Sequence, residues 1–166
     1  MIKSTHKNKQ ILRVVLLLAC VTCISCARSG NAPATTAKTD AELSTRGSVE
    51  VTAQLVEVPE GAIFKRDLYD YATVLKYKVL KVHRGKVDSE TIYVGHYNPF
   101  TPRSEAADQR VQAIGGDLKT FRAEQVHRMA LEVPIDDHFM GGIVNKYFGQ
   151  ETGPIYWAVR TNLVSE

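Results

Sequence analysis

The chain has 166 residues, 44% of them hydrophobic, a formal net charge of +3 and three cysteines. That length fits one ordinary domain, and the apolar content excludes a chain that stays disordered throughout. Residues 1–26 hold four of the 21 Lys and Arg and none of the 18 Asp and Glu. The remainder therefore nets −1, and nothing in that balance argues for nucleic acid as a partner.

The first segment, MIKSTHKNKQILR, is basic through Lys3, Lys7, Lys9 and Arg13, and an apolar run follows from Val14 to Ile24. A positive stretch ahead of a short apolar one is the form of a secretory signal, and the run falls short of the roughly 20 residues of a spanning helix. All three cysteines, Cys20, Cys23 and Cys26, sit in or just after this run. The segment resembles a bacterial lipoprotein signal, which ends in small or aliphatic residues and a cysteine that takes lipid. Cys23-Ile24-Ser25-Cys26 makes Cys26 the expected acceptor, with Cys20, after Leu17-Leu18-Ala19, as the alternative. The resemblance implies a signal peptide over 1–25, acyl chains such as palmitate on the new N-terminal cysteine, and a membrane held through that anchor. Ala27 resembles the sorting pattern for the periplasmic face of an outer membrane, if the cell has two membranes. A zinc site is not expected here, because no nearby histidine completes a ligand set.

Residues 26–45 are rich in Ala, Thr, Ser and Gly, with Leu43 the one large aliphatic residue. Such a stretch reads as a flexible tether, which leaves 46–166 as a single, cysteine-free domain. VEVTAQLVEV alternates through Val49, Val51, Ala53 and Leu55 and then slips phase to Val56 and Val58. Period two predicts a strand and the slip predicts a bulge. YDYATVLKYKVLKV behaves alike, with Tyr69, Tyr71, Thr73, Leu75, Tyr77 and Val79 on one face before Leu80 and Val82 take over. The polar HRGKVDSE makes Tyr71–His83 and Thr91–Tyr97 a hairpin. SEAADQRVQAIGG predicts a short helix, with Ser104 as its cap and Ala107, Val111 and Ile114 on one face. QVHRMALEV predicts a strand with Met129, Leu131 and Val133 inward, and GGIVNKYFG a helical turn. IYWAVRTNLV predicts a last strand with Ile155, Trp157, Val159, Thr161 and Leu163 inward. Five strands with a helix between the third and fourth resemble the OB-fold, a small, partly open β-barrel that binds through one face and its loops. The expectation is a mainly β, five-stranded OB-like barrel with one or two short helices; a β-sandwich is the alternative.

Chemistry-bearing residues are sparse. His83, His96 and His127 are the alternative metal set, but no HxH or HExxH spacing brings them together, so no metal, cofactor or catalytic residue is assigned. Asp136, Asp137 and His138 after Pro134 read first as a turn or helix start and second as half of an acid–base site. No GxSxG elbow or thiol nucleophile exists in the domain. Tyrosine in strands offers flat apolar faces with polar tips, so Tyr93, Tyr97, Asn98 and Phe100 are the expected ligand-binding residues, for an envelope protein or a glycan. The functional expectation is a non-catalytic binding or accessory domain. A metal-assisted hydrolase and a structural assembly subunit are the alternatives.

Overall fold

The computed structural model describes residues 41–64 and 70–165; the lipidation candidates Cys20 and Cys26, and Tyr69, lie outside them. Among the described residues seven strands occur: β1 (Val49–Glu57), β2 (Tyr71–Arg84), β3 (Thr91–Tyr97), β4 (Gly115–Gly116), β5 (Val126–Glu132), β6 (Gly142–Val144) and β7 (Ile155–Leu163). A single 3-10 turn covers Ile135–Asp137, and residues 41–45 make a helical turn. No helix among the described residues is long and apolar enough to cross a membrane.

Five of the strands close a barrel. β1 pairs antiparallel with both β2 and β5, β2 with β3, and β5 with β7, while β3 and β7 run parallel and complete the ring. This is the expected OB-like barrel and not the sandwich. A strand that serves two neighbours around a tight ring has to bend. Register shifts between Glu50/Val51, Thr52/Ala53 and Leu55/Glu57 along the β1–β2 pairing supply the bend. The last of them falls where the hydrophobic alternation slips.

Period-two alternation fills the interior from all five strands, with Val51, Leu55, Leu75, Tyr77, Val94, Met129, Leu131, Tyr156 and Ala158 among the buried set. Each Val, Leu or Met among them contributes about 1.5–3 kcal/mol of burial free energy. A second layer lies outside the barrel. Residues 133–150, part of the connection from β5 to β7, lie against the outer face of β2, β3 and β7. Ile135 and Phe139 join Tyr97, Trp157 and Val159 in one cluster, and Tyr147 joins Val74 and Tyr93 in another. Phe139 stacks on Trp157 at 4.9 Å between ring centroids, 10° from parallel. Gly95 permits the approach, because a Cβ there would stand 2.4 Å from Ile135 Cδ1. The clusters draw only on residues 49–159, so the barrel has a self-contained core.

This cover corrects one expectation. Tyr156 and Ala158 point into the barrel, whereas Trp157 and Val159 belong to the outer layer. When both faces of a strand are buried, hydrophobic pattern alone cannot say which one is inward. A second correction concerns the helix expected over 104–114, where the chain instead makes turns. The Asp108 carboxylate accepts from the backbone N–H of Arg110 (2.8 Å) and of Val111 (2.9 Å) through one oxygen, and from the Tyr97 hydroxyl through the other (2.6 Å). Such local capping competes with helical hydrogen bonding. The GGIVNKYFG segment likewise gives β6, paired parallel with the start of β2, followed by turns.

The folded part also begins earlier than composition suggests. Leu43 is fully buried, Glu42 pairs with Arg160, and the Arg84 guanidinium donates to the carbonyls of Leu43, Ser44, Arg46 and Gly47. Residues 41–45 are therefore docked on the barrel. A single leucine and a turn of helix are enough when a cation at the end of β2 takes up the otherwise orphaned carbonyls.

Candidate functional site

Two polar constellations stand out, one inside the barrel and one at its rim. Inside, β2 supplies Tyr77, β3 His96 and β5 His127, all inaccessible to solvent. The Tyr77 hydroxyl lies 3.0 Å from His96 Nε2 and 3.1 Å from His127 Nδ1. Phe121 packs against both imidazoles, and the Arg103 guanidinium sits 5.4 Å from the Phe121 ring centroid. A phenol donates one hydrogen bond, so one imidazole shows it a bare nitrogen and the other an N–H. His96 Nδ1 and His127 Nε2 are buried without a hydrogen-bond partner. Either tautomeric arrangement thus leaves one unpaired donor and one unpaired acceptor.

Burial sets the charge state of this trio. It holds His96 well below the ordinary histidine value, with Arg103 and His127 adding to the effect. It lowers His127 to about 4 and pushes Tyr77 up against the opposing pull of Arg103. Burial also lowers Arg103 itself to about 10; its guanidinium donates to the carbonyls of Tyr97, Asn98 and Thr101. All three ring systems are neutral near pH 7. His83 stands apart, its Nε2 2.8 Å from Thr52 Oγ1, so the three-histidine set does not assemble. Among the described residues no group of three or more His, Cys, Asp or Glu is placed to hold a metal. The trio is an internal hydrogen-bonded brace with no surface for a ligand.

The second constellation is open to solvent. Three separate segments meet in a cleft of about 460 Å³: Asp70 just before β2, Tyr97, Arg110 and Val111 around the loop after β3, and residues 138–141 of the β5–β7 connection. Asp70 pairs with Arg110, and Asn98 Nδ2 donates to the other Asp70 oxygen at 3.2 Å. Asn98 holds a positive φ of 41° and bonds Tyr71 through its backbone N–H (2.9 Å) and its side-chain oxygen (3.4 Å), so it locks the start of β2 to the end of β3. Burial, then the Asp108 carboxylate, push the Tyr97 phenol well above the usual range. Burial also raises Asp108, but the Tyr97 hydroxyl and the backbone N–H groups of Val111 and Arg110 outweigh it and leave the carboxyl low. Both groups keep their resting protonation at neutral pH, which suits hydrogen bonding better than proton transfer.

The four expected ligand residues are dispersed. Tyr97 borders the cleft but is fully buried, its ring against Phe139 and its hydroxyl on Asp108. Asn98 acts one step behind it through Asp70. Tyr93 is buried, 5.2 Å from the Tyr147 ring between centroids, and Phe100 is half-buried in the loop beyond. Asp137 belongs to the 3-10 turn, and His138 reaches the cleft. Sequence reasoning did not find Asp70, Asp108, Arg110 or Met140. Asp70 and Arg110 are 40 residues apart and belong to no motif, and Asp108 was absorbed into the expected helix.

No family model, curated protein or solved structure matches the chain.

Proposed function

We propose that the chain is a lipid-anchored envelope protein whose barrel is a non-catalytic binding module, with the rim cleft as its binding site. The anchor reading is supported by the basic start, the apolar run and Cys26, with Cys20 as the alternative acceptor. The observation that carries the binding reading is the meeting of three loop segments in one cleft at one end of the barrel. OB-folds bind through the β2–β3 face and the adjoining loops. Here the chain's own connection covers that face, and the opening moves to its rim.

A protein partner fits this cleft better than a glycan. The tyrosine faces on which a sugar ring would stack, Tyr93 and Tyr97, are buried, whereas Met140 at the rim is 94% exposed. A flexible, polarisable methionine beside an ion pair suits a mixed polar and apolar peptide surface. Replacing Met140 with a photo-crosslinking residue in intact cells tests the proposal. Capture of an envelope protein, lost when Arg110 is changed to Glu, is expected. Retention on a cell-wall glycan matrix with no protein captured would replace the protein partner by a glycan.

A further inference from the structure

The free end of β2, beyond its pairing with β3, carries exposed apolar and basic side chains. β2 is flanked on both sides only as far as Val79, whose N–H bonds the Glu90 carbonyl at 2.8 Å; beyond it, Lys81, Val82 and Arg84 pair with β1 alone. Along this end Leu80 is 51% and Val82 39% exposed, and Lys81 and His83 are exposed as well. A strand edge is guarded by charge, and Lys78 and Lys81 serve that purpose. Leu80, left half in water between them, does not; Val82 lies opposite the core residue Val51, on the other face from Lys81.

Charge concentrates at the same place. Residues 76–90 hold five Lys and Arg against two Asp and Glu, a net of +3, so the rest of 27–166 nets −4. Lys86 pairs with Asp88 at 2.7 Å, Arg84 is taken up by backbone carbonyls and Lys76 is half-buried, whereas Lys78 and Lys81 are exposed. The positive pole of a slightly acidic domain therefore coincides with its exposed aliphatic end.

The third observation is where the chain enters the barrel. Arg84, the last residue of this strand, grips the carbonyls of residues 43, 44, 46 and 47. Only 14 residues, 27–40, separate Cys26 from the docked turn. Fourteen residues reach at most about 50 Å at full stretch. On the lipid-anchor reading, that lead holds this corner of the barrel, and with it the end of β2, within about 50 Å of the bilayer.

We infer that the free end of β2 is a membrane-contact surface, with Leu80 entering the interfacial layer and Lys78 and Lys81 on either side of it meeting anionic phospholipid headgroups. Its orientation rests on the lipid-anchor reading. The acyl chains and this patch then act as two signals, the combination that makes peripheral attachment stable.

The test uses residues 27–166 without lipid, a fragment free of cysteine that contains the whole core. Its partition is measured on vesicles of phosphatidylcholine alone and of phosphatidylcholine with one third phosphatidylglycerol. Binding to the anionic vesicles is expected, falling about five-fold for each of Lys78→Ala and Lys81→Ala. An environment-sensitive fluorophore on Leu80→Cys should shift to the blue on those vesicles, and one on Phe148→Cys, a site 88% exposed on the β5–β7 connection, should not. Equal partition onto both vesicle types, indifference to the lysine substitutions, or an equal response at both labels would overturn the inference. The anchor is read separately from the mass of the full chain recovered from cells. An unacylated chain alongside a fragment that binds as expected removes the anchor and leaves the contact surface standing.

Discussion

Acid should loosen this barrel well above the pH at which its carboxylates titrate, and one residue sets most of the effect that can be worked out. His127 is buried beside Tyr77, and burial lowers it from 6.5 to about 4. The folded state thus prefers the neutral imidazole, and the unfolded chain binds more protons between those two values. The stabilisation is complete above pH 6.5, declines as the pH falls towards 4, and is flat below that. At 1.36 kcal/mol per pH unit the loss is about 3 kcal/mol, a large share of the roughly 5–15 kcal/mol that holds a domain folded. His96 is shifted in the same direction and adds to it. Trp157 is the one tryptophan, buried under Phe139, and reports unfolding by its fluorescence. Urea denaturation of residues 27–166 at pH 7, 5.5, 4.5 and 3.5 should show the midpoint falling with unchanged slope. His127→Gln keeps a hydrogen-bonding amide near Tyr77 and removes the titration, so its stability should fall about 3 kcal/mol less over the full range from pH 7 to below 4. Identical pH dependence in the two proteins, or a parent that gains stability on acidification, would refute the reasoning.

Four further outcomes follow from the packing. Gly116 has φ of 134° and a Cβ there would lie 1.9 Å from the Thr161 carbonyl oxygen, so Gly116→Ala should cost about 3 kcal/mol or prevent folding, read by urea melts. Gly95→Ala drives a methyl into the end of the Ile135 side chain and should cost about 1–3 kcal/mol. Adding Ile135→Ala should recover part of that loss, and strict additivity of the two would count against the contact. Arg84→Ala strands the carbonyls of residues 43, 44, 46 and 47 and should speed proteolytic cleavage in that stretch without unfolding the barrel. Tyr97→Phe removes a donor from Asp108, so the Asp108 carboxyl should titrate closer to its ordinary value in a carbon-detected NMR titration.

How much of this was legible from the residues depended on whether a feature was periodic. The strands, the hairpin over 71–97 and the bulge after Leu55 announce themselves through alternation, and the β-β-β-then-two-strand order suffices for the barrel. The covering of β3 and β7 by residues 133–150 was not legible, because a strand buried on both faces reads the same whichever face is inward. Asp108 shows the other failure. An acidic residue near the start of an apolar-periodic stretch is a fair helix signal, and only the Tyr97 hydroxyl, brought near by the barrel, turns its carboxylate into a turn-maker. His96 and His127 lie 31 residues apart in sequence and meet only because β3 and β5 both send them inward towards Tyr77.

The arrangement of β2 joins the two proposed activities. The strand begins beside Asp70 at the rim cleft and ends at Arg84, where the incoming chain is gripped. Its 14 residues would span about 45 Å if straight, and the bulges fold that length around the barrel. Buried Leu75 and Tyr77 hold the middle of the strand in the core, so both ends are carried on a rigid element and not on loops. A partner seated at the cleft is then set at a fixed distance from whatever surface the other end touches. If the end of β2 lies on lipid, the cleft is positioned to receive a partner that approaches along the membrane surface or from the space beside it. Lengthening the stretch before Ala41 with flexible residues should therefore weaken partner capture at Met140 in cells while leaving the isolated barrel's affinity for vesicles unchanged.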